Sequence, residues 1–133
     1  MSPDPTQTAP PIRDVGPVGT EAEPEAEVAR LVRAQLHRVA ARDDARVRAR
    51  LLGDLLVVTI EQPLTRYEAR IVEHGGADQV REARRGFHEL MRGPLVAGVE
   101  ACLGRQVVAF LHDHQLAPDV SVQTFLLEPG TAR

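Results

Sequence analysis

The middle of the chain carries the pattern that most restricts the possible folds. Residues 45–51 alternate between apolar and arginine side chains, which is typical of a strand that buries one face. Gly53 and Asp54 follow and favour a tight turn, and residues 55–60 are mainly apolar, as in an interior strand. Because two strands joined by so short a turn must run antiparallel, this segment predicts a β-hairpin.

A second pair of strands is predicted towards the C-terminus. Residues 107–111 form a continuous apolar run, residues 112–118 have the composition of a polar turn, and residues 120–127 alternate again. With helices in the remaining segments, the element order becomes α-β-β-α-α-β-β. We therefore expect an α+β fold with a four-stranded, mostly antiparallel sheet built from two hairpins, and helices on one face.

Three helices are predicted from apolar residues at helical spacing. The first covers about residues 25–41, and the second follows a capping box formed by Thr65 and Glu68 and ends near residue 73. The third covers about residues 78–103, where Pro94 is expected to kink the helix or to divide it in two. The buried stripe of this third helix is expected to consist of Val80, Ala83, Phe87, Leu90, Met91, Leu95, Val99 and Cys102.

The length of 133 residues suits one domain with a core of its own. Half of the ten prolines lie in the first 22 residues, which contain few large apolar side chains. We expect residues 1–22 to be a disordered tail, residues 23–129 to be the domain, and residues 130–133 to be a short C-terminal tail. Aromatic residues make up only 3% of the chain, so the core is expected to be aliphatic.

The cellular compartment is indicated by a single cysteine and by short apolar runs. Cys102 has no second cysteine to form an intramolecular disulfide, which favours a reducing cytoplasm. The apolar runs are much shorter than the roughly 20 residues that span a bilayer, and the N-terminus lacks the pattern of a secretory signal. We therefore expect a soluble, cytoplasmic protein that does not insert into a membrane.

Composition also argues against several classes of function. The formal net charge is −3, and most of the negative charge lies near the N-terminus, which leaves the rest almost neutral. With so few aromatic side chains for base stacking, nucleic acid is not an expected partner. The chain contains no Lys for Schiff-base chemistry, no Gly-rich phosphate loop and no Gly-x-Ser-x-Gly motif. The sequence thus identifies no catalytic residue and no cofactor, and we expect a protein that is not an enzyme.

Histidines provide the alternative hypothesis of a metal-dependent enzyme. In an extended segment, His112 and His114 would point to the same side, which suits two ligands of one metal ion. A third ligand would have to come from His88, His74 or Asp119. The competing interpretation is that these polar residues simply form the turn between two strands.

Arginines provide another alternative, an anion-binding or nucleic-acid-binding module. Arg46, Arg48 and Arg50 share one side of the first strand and could form a surface for an anion or a partner. The competing interpretation is a solvated strand face whose charge discourages aggregation. Arg84 is expected on a mixed, solvent-exposed charged face of the third helix, and Cys102 is expected to pack in the core.

Four passages, taken together and in order, resemble a known bacterial family. They are EVARLVRAQL, GDLLVVTIEQPLTRYEARIVEHGG, VREARRGFHELMR and GVEACLGRQVVAFLHDHQLAPDVSVQTFLLEP. The pattern LT..E followed by G(R/K).V..F..D is the most specific part of the likeness. Most of residues 26–129 is similar to the family of component C of a Na⁺-translocating, membrane-potential-generating system, although Pro94 departs from the family's pattern.

This resemblance implies a role without implying catalytic residues. The family is associated with membrane subunits that support the uptake of ions or inorganic carbon, so an integral membrane transport subunit is the implied partner. The leading hypothesis is therefore a cytoplasmic accessory protein. In addition, a sheet covered by helices on one face leaves its other face for a partner, and we expect a homodimer that buries this face or pairs strand edges.

Overall fold

The computed structural model describes residues 22–116 and 118–130 and shows the predicted element order. The disordered tail predicted for residues 1–22 lies outside the described residues, except for Ala22. The elements are α1 (Glu23–Ala40), β1 (Arg46–Leu52), β2 (Leu55–Glu61), α2 (Arg66–Glu73), α3 (Ala77–Leu103), β3 (Val107–Leu116) and β4 (Asp119–Leu127).

The four strands form one antiparallel sheet in the order β1-β2-β4-β3, which confirms the predicted fold class. The turn between β1 and β2 contains Gly53, whose φ of 63° lies in the left-handed region that glycine adopts without strain. In this order β2 and β4 are interior strands, whereas β1 and β3 are the two edges.

The register assigns every strand residue to one of two faces. Ala49, Val58, Gln123 and His112 are aligned across the sheet and belong to the face that carries the core. We call this the inner face; its remaining members are Val47, Leu51, Leu56, Ile60, Val107, Phe110, His114, Leu116, Asp119, Ser121, Phe125 and Leu127.

Helices α1 and α3 cover the inner face. The apolar stripe of α1 is buried as predicted, with Val28 and Val32 fully inaccessible and Leu36 nearly so. Glu25 fastens the start of α1 in two ways, because its side chain accepts hydrogen bonds from the Ala22 N–H at 2.8 Å and from the Leu51 N–H at 2.7 Å. The apolar core contains Val28, Ala29, Val32, Leu36, Val47, Ala49, Leu56, Val58, Ile60, Met91, Leu95, Val99, Phe110, Phe125 and Leu127.

Strand β3 is longer than the sequence pattern suggested. The polar turn predicted for residues 112–118 is wrong, because β3 continues to Leu116 and pairs with β4 as far as Asp119. Its polar residues still obey the strand period: His112 and His114 lie on the inner face, and Asp113 and Gln115 lie on the other. The alternation was hidden because the inward-facing residues are histidines rather than aliphatic side chains.

Helix α3 is a single helix from Ala77 to Leu103, so the predicted possibility of two helices is wrong. Pro94 has no N–H to donate to the carbonyl of Leu90. Leu90 is 64% exposed, so water has access to this part of the helix. The residue before the proline is Gly93, which has no Cβ to collide with the proline ring.

The contact between α1 and α3 generates a test of helix packing. A Cβ added at Gly98 would lie 2.5 Å from Leu31 Cδ2 and 3.2 Å from Leu31 Cγ, whereas a Cβ at Gly86 would meet nothing within 4 Å. Alanine is favoured over glycine inside a helix by about 1 kcal/mol. We therefore expect Gly86→Ala to raise the free energy of unfolding by up to about that amount, and Gly98→Ala to lower it. Urea titration of both variants provides the comparison, and an equal gain at both positions would contradict the described helix contact.

Candidate functional site

The residues that face the core from α3 differ from the predicted stripe at its N-terminal half. Ala83, Phe87 and Leu90 are exposed, although the sequence pattern placed them in the core. Arg84 and His88 take their place, with 3% and 2% of their surfaces exposed. The buried positions of α3 are Val80, Arg84, His88, Met91, Leu95 and Val99.

The spacing of the buried positions of α3 is the signal that sequence reasoning missed. Helical spacing without a gap is kept by positions 80, 84, 88, 91, 95 and 99. A buried stripe that admits one arginine and one histidine therefore fits the period of the helix better than a purely apolar stripe. A buried arginine requires carboxylates near it, and α2 and β4 supply them.

Arg84 joins α3 to α2 and to β4. Its guanidinium donates to Glu68 through Nη2 at 2.8 Å and Nε at 3.2 Å, and to Asp119 Oδ1 through Nη1 at 2.6 Å. The prediction that Arg84 lies on a solvent-exposed charged face is therefore wrong. Two of its charged neighbours do lie on such a face, where Arg81 pairs with Asp78 and Arg85 with Glu82.

Glu68 also completes the capping box predicted for α2. Its carboxylate accepts a hydrogen bond from the Thr65 N–H at 2.9 Å, and its own N–H donates to Thr65 Oγ1 at 3.0 Å. Burial alone would raise the pKa of Glu68, but the bonds from Arg84 and Thr65 hold that pKa below its usual value. Burial dominates at Asp119, and raises its pKa although Arg84 opposes the shift.

Three histidines meet beside this ion pair. The ring centroid of His88 lies 5.0 Å from that of His112 and 6.1 Å from that of His114, and the rings are stacked with interplanar angles of 21° and 25°. The structure therefore brings together both predicted metal-ligand candidates and one of the three residues suggested as a third ligand. His74 is not among them; it ends α2, where its Nδ1 lies 2.8 Å from the carbonyl oxygen of Arg70.

The histidine cluster contains several buried polar atoms without a protein partner in the described part of the chain. His88 Nε2 lies 3.4 Å from Ser121 Oγ, but Nδ1 of His88 has no hydrogen bond among the described residues. The same holds for His112 Nδ1, His114 Nε2 and both amide atoms of Gln123, which is fully buried. These imidazoles stack face to face, and in residues 22–116 and 118–130 no group of three His, Cys, Asp or Glu side chains is arranged to hold a metal ion.

A cavity of about 210 Å³ lies next to the cluster, between the three helices and the end of β2. Arg42 and Arg84 line it, but both guanidinium groups already bind carboxylates: Arg42 lies 3.1 Å from Asp44, and Arg84 contacts Glu68. The cavity therefore offers no unpaired positive charge to attract an anion. Its lining residues are Leu36, Ala40, Arg42, Gln62, Thr65, Glu68, Arg84, Phe87, His88 and Met91.

The other face of the sheet is the open face. Its members are Arg46, Arg48, Arg50, Leu52, Leu55, Val57, Thr59, Glu61, Ala109, Leu111, Asp113, Gln115, Val120, Val122, Thr124 and Leu126. Several of its apolar side chains are well exposed, including Leu52 at 60%, Leu111 at 66% and Leu126 at 43%. Such an apolar surface on a sheet is a typical interaction site.

The three arginines proposed as an anion or partner surface lie together at the β1 edge of the open face. Arg46 makes an ion pair with Glu61 at 3.5 Å, directly across the β1–β2 register. No ion pair to Arg48 or Arg50 is present among the described residues. These two arginines are therefore available to a second molecule.

Cys102 lies half-buried against the core, as predicted. Burial raises the pKa of its thiol, with the nearby Glu27 carboxylate adding to the shift. The thiol is thus protonated at neutral pH and is a weak nucleophile.

The histidine cluster predicts a loss of stability in mild acid. Burial lowers the pKa of His88 to about 4, and the charges of His112 and His114 act in the same direction. Burial also lowers the pKa of His114. Between its ordinary pKa of 6.5 and about 4, His88 takes up a proton in the unfolded chain but not in the folded one. The free energy of unfolding therefore has its full value above about pH 6.5. By about pH 5, we expect the proton taken up by His88 in the unfolded chain to lower that free energy by about 2 kcal/mol.

Urea titrations at neutral pH and at about pH 5 measure this loss. His88→Gln should reduce the difference between the two pH values, because glutamine does not titrate. His74→Gln, which changes an exposed histidine, is the control and should keep most of the difference. An equal pH dependence in wild type and His88→Gln would contradict the assignment of His88.

Within the described residues, no helix combines the length and the apolar content needed to cross a bilayer. Searches of curated proteins and of solved structures each found no match. A family model does match, over residues 20–129, and it includes all seven helices and strands described above. This match confirms the resemblance seen in the sequence: the chain belongs to the family of the Na⁺-translocating membrane potential-generating system, MpsC.

Proposed function

We propose that this protein is a non-enzymatic accessory component of a Na⁺-translocating, membrane-potential-generating system. Its family supports membership of that system. Ion translocation requires a path through a bilayer, and the described part of the chain has no helix suited to that task. An integral membrane subunit would therefore carry the ion, and this chain would act on the cytoplasmic side through contacts with other proteins.

The observation that carries this proposal is the open face of the sheet. It exposes leucine side chains on three of the four strands, at Leu52, Leu111 and Leu126. Exposed apolar surface of this kind is costly in water unless a partner covers it. The open face is thus the part of the described molecule best suited to protein–protein contact.

The ion pair of Arg84 and the histidine cluster beside it support a structural role more than a catalytic one. All three nitrogens of the Arg84 guanidinium donate to Glu68 or Asp119, and His88 is 2% exposed. A catalytic acid or base has to reach its substrate within hydrogen-bonding distance. Groups enclosed in this way act by fixing α2, α3 and β4 to each other.

The first partner proposed for the open face is a second copy of the chain. A two-fold homodimer is the commonest assembly of soluble proteins, and it buries the same surface on both copies. Packing of two sheets face to face would remove the exposed leucines from water at once. A monomer would instead leave this face to the membrane subunit.

The accessory role predicts a change in membrane potential. A strain that lacks the protein should show a lower potential in sodium medium, measured with a voltage-sensitive dye. Wild type and Leu90→Glu should restore the potential, whereas Leu126→Glu should not, because it places a charge on interior strand β4 of the open face. Leu90 is a matched control, since it is an exposed leucine on α3. An unchanged potential in the strain without the protein would contradict the proposed system.

Sedimentation equilibrium tests the homodimer directly. At tens of micromolar the full chain should have twice its monomer mass of 14.6 kDa. Leu126→Glu should shift the population to monomer, and Leu90→Glu should leave it dimeric. A clean monomer for the wild-type protein would overturn the homodimer.

A further inference from the structure

The charges of the open face are segregated between its two edges. Arg46, Arg48 and Arg50 lie on edge strand β1, and Asp113 lies on edge strand β3. Glu61, the other acid of the face, is already paired with Arg46. One edge therefore carries unpaired positive charge, and the opposite edge carries a negative charge.

The register places opposite charges at the two ends of one row. Arg48 pairs with Thr59, Thr59 with Val122 and Val122 with Asp113, so these four residues form a line across the sheet. Strands are spaced by about 4.8 Å, so three spacings separate the ends of the line by about 14 Å. Arg48 and Asp113 of the same copy are too far apart for an ion pair.

A two-fold axis parallel to the strands would bring these charges together. Such an axis leaves the position along each strand unchanged and reverses the strand order, so β1 of one copy lies over β3 of the other. Each row of four residues across the sheet then faces the same row of the second copy, with the order of the four residues reversed. Arg48 would face Asp113 of the second copy, and the reciprocal pair would form at the opposite edge.

The same operation matches the apolar rows. Leu55 and Leu126 are partners in the β2–β4 register, and the two-fold axis would place Leu55 of one copy over Leu126 of the other. In the adjacent row, the aliphatic stem of Arg50 would cover Leu111, which is 66% exposed in the single copy. Sheets packed in this aligned manner are about 10 Å apart, a distance that leucine and arginine side chains can fill.

Other two-fold arrangements do not pair the charges. An in-plane axis perpendicular to the strands stacks β1 on β1, so that Arg48 of one copy faces Arg50 of the other. Pairing of edge strands brings β1 to β1 or β3 to β3 and leaves the leucines of the open face in water. Like charges placed against each other weaken an interface.

We infer that two copies pack open face to open face about a two-fold axis parallel to the strands, with Arg48 of each copy facing Asp113 of the other. This inference rests on the homodimer proposed above and specifies its geometry. The partner of the arginine surface is thus a carboxylate of a second copy of this chain.

Charge reversal tests this arrangement. Arg48→Glu would set Glu against Asp113, and Asp113→Arg would set Arg against Arg48, so each variant alone should dimerise at least about tenfold more weakly. An equimolar mixture of the two variants should form a heterodimer, because both facing pairs are then of opposite charge. The variant with both reversals should also recover dimerisation to near the wild-type level. Arg66→Glu is the control for the change in net charge of Arg48→Glu, since α2 is joined through Arg84 to Asp119 on the inner face, and it should dimerise normally.

Sedimentation and fluorescence transfer between labelled variants measure these equilibria, and circular dichroism verifies that each variant is folded. Tighter self-association of Arg48→Glu would overturn the inference in favour of β1 stacked on β1. Equal weakness of the mixture and the single variants would also overturn it, while leaving a homodimer of different geometry in place. A monomeric wild-type protein would overturn both the geometry and the homodimer.

Discussion

The buried guanidinium of Arg84 is the contact on which the arrangement of α2, α3 and β4 depends. It lies between Glu68 at the first turn of α2 and Asp119 at the first residue of β4. Loss of the arginine would leave two carboxylates in a site that water reaches poorly, and breaking such a buried pair costs about 3–5 kcal/mol. Because Glu68 also caps α2 through Thr65, the same group determines where that short helix begins.

This ion pair accounts for the polar character of the adjacent core. Directly after Arg84 on the buried stripe of α3 comes His88, which stacks on His112 and approaches Ser121. Polar side chains therefore fill one end of the inner face, and aliphatic side chains, Phe110 and Phe125 fill the rest. The polar end orients α3 on the sheet, since sliding the helix would separate Arg84 from its carboxylates.

The sequence predicted the fold wherever apolar periodicity alone decides burial. The strand pairs, the Thr65 cap and the end of α3 at residue 103 all follow local rules, and each is present. Prediction from the sequence failed where polar residues occupy core positions. Burial of Arg84 depends on carboxylates that are distant in sequence. The length of β3 was underestimated because its inward-facing residues include the polar His112. The open face could be predicted from the strand pattern, but the row that joins Arg48 to Asp113 requires the register.

Each face of the sheet departs in part from the usual distribution of polarity, and this bears on how the molecule is stabilised. The inner face encloses a histidine cluster and an ion pair, whereas the open face exposes leucines. A chain folded in isolation would thus hide polar groups at a cost while leaving apolar area in water. Association through the open face would add stability by mass action, because only the folded chain presents that face. Assembly and folding would then be linked equilibria, and the folded state would gain stability as protein concentration rises.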